Sequence, residues 1–96
     1  MSPRLSIKRL RASKAGHSQE GYVALLKSLG YELVRHTRHG ARLSHPELRR
    51  HPDLIVRRDK SWLLIPVGRR LPEYVAEDVL ESVAILEKVR KESMNA

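Results

Sequence analysis

Ninety-six residues without a cysteine allow one domain with a modest core, about 60–65% of the unfolded surface buried, and exclude disulfides and thiolate metal sites. Lysine and arginine number 19 against 11 acids, a net charge of +8, so the expected partner is a polyanion, nucleic acid first. No apolar run approaches the roughly 18–20 residues of a membrane span, and the basic N-terminus lacks the apolar core of a signal peptide; a cytoplasmic protein with no membrane partner is expected.

The charge is uneven. Residues 71–96 hold six acids and three bases, which leaves 16 bases and five acids, a net of +11, in residues 1–70. Arginine outnumbers lysine thirteen to six, which suits bidentate contacts to phosphate. An arginine-rich surface kept for solubility is the plainer explanation, but solubility does not require the excess to stop at residue 70.

Residues 1–16 hold Arg4, Lys8, Arg9, Arg11 and Lys14 with no acid, and read as a flexible basic arm, or equally an ordinary frayed terminus, preceding a single domain over 17–96; Leu5, Ile7 and Leu10 can form part of a short strand or an amphipathic turn. Ser18 is placed to cap a helix from Gln19 to about Leu29, with Gly30 where a left-handed C′ residue is wanted. Glu20 falls in its first turn, where the helix dipole alone explains an acid. Tyr31 to His36 reads as a strand. Thr37 to Arg50 is polar and basic; Ala41 to Ser44 can extend a hairpin, while Pro46 and Pro52 interrupt any long strand.

His51 to Arg70, HPDLIVRRDKSWLLIPVGRR, is the most informative stretch. A strand is expected over Asp53–Arg58, a tight turn at Asp59-Lys60, and a second strand over Ser61–Val67. The second is apolar enough to be central and covered on both faces, with Pro66 at its end. Pro72 fits the first position of a long helix running to about Lys91, whose stripe of Val75, Val79, Val83, Leu86 and Val89 packs on the sheet and whose far end can face a second subunit. The expected fold is α+β, in the order α-β-β-β-α, with a small, mostly antiparallel sheet and helices packed on it.

Asp53 opens a strand after Pro52, which projects its carboxylate from a sheet end. A Mg²⁺-dependent hydrolase needs two or three carboxylates around one cation, and Glu20 and Asp53 can supply two. A third is wanted near residues 65–67, where the chain has Ile65, Pro66 and Val67. On composition and spacing alone a solvated strand-start aspartate is the better reading of Asp53.

The run PDLIVRRDKSWLLIPVGRR resembles the core of the PD-(D/E)XK nuclease superfamily, where PD, a strand and a turn precede (D/E)-x-K. Pro52-Asp53 matches the PD, and Pro66-Val67-Gly68 stands where the superfamily has Glu-x-Lys. With the Glu20 helix, the strand after Gly30-Tyr31 and the helix after Arg69-Arg70, residues 17 to about 90 are similar to Holliday-junction resolvases and the small YraN-like proteins. The resemblance implies a restriction-endonuclease-like core lacking its last strand. Glu20 and Asp53 are the catalytic and metal-binding positions it retains. Pro66 and Gly68 supply neither a ligand nor the lysine that steadies charge on phosphate, so the implied protein binds nucleic acid, DNA first, without cleaving it and without a cofactor. Arg35, Arg38, Arg42, Arg49, Arg50, Arg57, Arg58, Arg69 and Arg70 are the expected phosphate contacts, with the basic arm along the backbone.

Three alternatives stand beside this one. A Mg²⁺-dependent nuclease would use Glu20, Asp53 and a relocated Glu73 or Glu77. An mRNA interferase is the second: Leu33-Val34-Arg35 and Ser44-His45-Pro46 resemble parts of the HicA-type toxins, although their Gly-Ser-His motif falls on Arg38-His39-Gly40 with the histidine out of register. A structural subunit, pairing with itself or another protein through the C-terminal helix, is the third. His36, His39, His45 and His51 have a loop's spacing and fix no metal geometry. Trp62 can stack a base but lies in the most apolar strand, where core packing is the simpler role.

Overall fold

The computed structural model describes residues 5–49 and 62–94. Its first element is a short helix, α1 (Ile7–Ala12), capped by the Ser6 hydroxyl, which accepts from the Arg9 amide at 3.2 Å. Six residues do not hold a helix in water alone. Burial of Leu10, fully removed from solvent within the core, contributes about 1.5–3 kcal/mol toward it, and Leu5 and Ile7 pack alongside. Residues 7–12 thus form a docked helix where an arm was expected, because Leu10, with Leu5 and Ile7 beside it, finds a hydrophobic seat.

The next helix, α2 (Gln19–Ser28), begins where its signals place it: the Ser18 hydroxyl accepts from the Gly21 amide at 3.0 Å. Tyr22, Leu25 and Leu26 form its buried face. Gly30 follows the C-cap with φ +97°, and a Cβ there would stand 2.8 Å from His45 Nε2.

The chain then makes a hairpin of β1 (Glu32–Thr37) and β2 (Gly40–Ser44), antiparallel, with an irregularity in register between Leu33 and Arg35. After the short helix α3 (Pro46–Arg49), β3 (Trp62–Ile65) pairs antiparallel with β2, giving the order β1-β2-β3 among the described residues. The class is α+β with a small antiparallel sheet. The second strand of that sheet is Gly40–Ser44; the strand and turn expected over 53–60 lie outside the described residues. β3 is also shorter and less covered than its apolar run implies. Leu63 and Ile65 are buried but Leu64 is 46% exposed, the alternation of a strand with one covered face, and the ladder stops before Pro66.

The last helix, α4 (Glu73–Met94), spans 22 residues, about 33 Å. Val75, Val79, Val83, Leu86 and Val89 are buried along one stripe, as the periodicity requires. The helix starts one residue after Pro72. α2 and α4 pack on the sheet face that carries Ala41, Leu43, Leu63 and Ile65. Among the described residues no helix is long and apolar enough to cross a membrane.

Polar contacts tie the layers together at one end of α2. The Leu29 carbonyl accepts from His45 Nε2 at 3.2 Å and from Arg90 at 3.5 Å, a cation at the helix C-terminus. His45 Nδ1 accepts from the Glu47 amide at 3.1 Å, so this imidazole caps α3 while bonding α2. Arg90 Nε pairs with Glu47 at 3.2 Å, and Tyr31 shares a buried 2.5 Å hydrogen bond with Ser82.

Candidate nucleic-acid interface

The sheet face turned away from the helices carries a row set by register. Arg35 stands opposite Arg42, and Arg42 opposite Leu64. All three are exposed, and neither arginine makes an ion pair among the described residues. Directly opposed strand residues have Cβ atoms about 4.5–5.5 Å apart, and like charges there are unfavourable, on the scale of the roughly 0.2–1 kcal/mol that good cross-strand pairs contribute. Two guanidiniums side by side match an anion that engages both.

One edge of this face is a sheet end where several loops meet. The β1–β2 turn presents Arg38 and His39, both exposed, and is tied by Thr37, whose hydroxyl donates to the Gly40 carbonyl at 3.1 Å. Gly40 has φ +144° and lies so close to β3 that a Cβ would collide with the Ile65 carbonyl. At the same place the α2 N-terminus meets the exit of β3: the Gln19 amide donates to the Gly68 carbonyl at 2.9 Å and Gln19 Nε2 to the Ile65 carbonyl at 3.2 Å. Arg69 and Arg70 follow, both exposed.

These contacts put Glu20, exposed in the first turn of α2, in the helical turn that abuts Pro66-Val67-Gly68. Of the acids considered as replacements, Glu73 is exposed, and Glu77 pairs with Lys14 at 3.8 Å. Among the described residues no group of three or more histidine, cysteine or acidic side chains is placed to hold a metal ion. Asp53, Arg50, Arg57 and Arg58 lie outside the described residues, as does the Arg49 side chain at the end of α3.

The histidines separate by role. His45 is 3% exposed with both ring nitrogens engaged, and Ser44 beside it is fully buried, so neither presents a reactive atom to a polymer. His36 and His39 are exposed. The two shifted tyrosines belong to the core: burial pushes Tyr22 up to about 12, and burial raises Tyr31 against the opposing Ser82 hydrogen bond and Arg90 charge.

Sequence reasoning missed the pairing of Arg35 with Arg42, which no local pattern reports, since it depends on the register of a hairpin with an irregular β1. It also missed that α1 is fixed, although Ile7 and Leu10 at a three-residue spacing carried the signal. Comparison of the chain with models of known protein families, with curated proteins and with solved structures finds no match.

Proposed function

We propose that this chain binds nucleic acid, DNA first, through its phosphate backbone, on a PD-(D/E)XK-like scaffold that has lost its cleaving residues. The observation that carries the reading is the exposed cross-strand pair Arg35–Arg42, two like charges held abreast on the uncovered sheet face. The net +11 of residues 1–70 supports it, and so do the exposed Arg38, Arg69 and Arg70 at the adjoining sheet end. Such contacts give affinity that depends little on sequence and falls steeply with salt, log K declining by about 0.9 per tenfold rise in salt for each phosphate contact on duplex DNA. A salt titration by fluorescence anisotropy tests this. Binding at low salt with a steep negative slope is expected, and no binding at low salt ends the reading.

Loss of cleavage follows from chemistry at the β3 exit. Pro66 and Gly68 offer no side-chain ligand for Mg²⁺ and no cation for the transferring phosphoryl group. One observation favours the active alternative, the placement of Glu20 beside that exit. Incubation of supercoiled plasmid and of RNA with Mg²⁺ or Mn²⁺ decides between them. No cleavage is expected from wild type; metal-dependent cleavage abolished by Asp53→Ala would establish the nuclease instead.

A further inference from the structure

Lys8, Arg9 and Arg11 stand on a fixed element, α1. His17 holds α1 to the loop that carries Arg69 and Arg70: its ring Nε2 bonds the Ser13 carbonyl at the end of α1 at 2.5 Å, and its carbonyl accepts from the Leu71 amide at 2.8 Å. The Gly16 amide closes the bridge by donating to the Leu71 carbonyl at 3.0 Å. Leu10 anchors the helix in the core. Lys8 and Arg11, three residues apart and therefore on one side of the helix, are both exposed and make no ion pair among the described residues. Lys14, by contrast, is drawn down to Glu77 on α4.

We propose that Lys8 and Arg11 extend the phosphate-contact surface beyond Arg69 and Arg70 and are in place before the partner arrives, continuing the basic track from the sheet face over the sheet end to the helix layer. The proposal rests on the nucleic-acid reading above. A flexible arm would have to be ordered on binding at a cost in chain entropy; a docked helix has already met that cost in folding. Both residues then act as ordinary backbone contacts whose number the salt dependence counts.

The test compares the full chain with Lys8→Gln/Arg11→Gln and with Lys88→Gln/Lys91→Gln, the latter removing two exposed charges from the far end of α4. Each is titrated with duplex DNA, single-stranded DNA and RNA across a salt series, with circular dichroism melting to confirm the fold. Losing Lys8 and Arg11 is expected to reduce the slope of log K against log salt by about 1.8 on duplex and about 1.4 on single-stranded DNA, while the α4 pair leaves it within error of wild type. An unchanged slope, or the same change in both variants, overturns the proposal while leaving the reading beneath it intact. Failure of wild type to bind any of the three probes removes both.

Discussion

Tyr22 shows how a single group can be well buried and poorly served. Its ring packs edge-on to His17 at 5.9 Å between centroids, yet its hydroxyl is buried without a hydrogen-bond partner among the described residues. A buried polar atom with no partner costs stability, and replacing it with an apolar group of the same shape is neutral or favourable. Tyr22→Phe is therefore expected to leave the urea midpoint unchanged or raise stability by up to about 1 kcal/mol. The pH dependence has a definite sign. The folded value of about 12 lies above the unfolded 10.0, so between these the unfolded chain loses a proton that the folded chain keeps. Stability falls as pH rises through that window. Unfolding curves at pH 9 and 11 should show the loss shrinking in Tyr22→Phe, and an equal loss in both proteins would contradict this assignment. At this scale legibility followed locality. Ser18 and Gly30 were readable because capping uses neighbours in the chain. Gly40 was not, since its need for a missing side chain comes from the Ile65 carbonyl twenty-five residues away.

At the scale of the element, α2 and α4 were legible because their apolar residues recur at helical spacing over two or more turns. The hairpin was only half legible: β1 is exposed along nearly its whole length, so no alternation of buried and open positions announces it. α1 was read as an arm because no acid balances its basic residues, and six residues carry too short a periodicity to weigh against charge. Its docking is directly measurable. Leu10→Ala is expected to cost about 2–5 kcal/mol, as for a leucine removed from a packed core; a shift within about 0.5 kcal/mol, typical of surface positions, would return the segment to the status of an arm.

At the scale of the whole molecule, 41 × 27 × 21 Å, one acidic and one basic region stand out. The first turns of α4 carry Glu73, Glu77 and Asp78, whereas the exposed sheet face and adjoining loops carry Arg35, Arg38, Arg42, Arg69 and Arg70. Composition raised the expectation of a polyanion partner; topology supplies the face on which the proposal rests, because only register puts Arg35 against Arg42. The most direct measurement of the central claim is the salt dependence of duplex binding in wild type and Arg35→Gln/Arg42→Gln. The double variant is expected to keep its fold, bind more weakly, and lose about 1.8 from the slope of log K against log salt. A variant whose affinity and slope match wild type would contradict it, since the paired arginines would then be surface charges with no phosphate to meet.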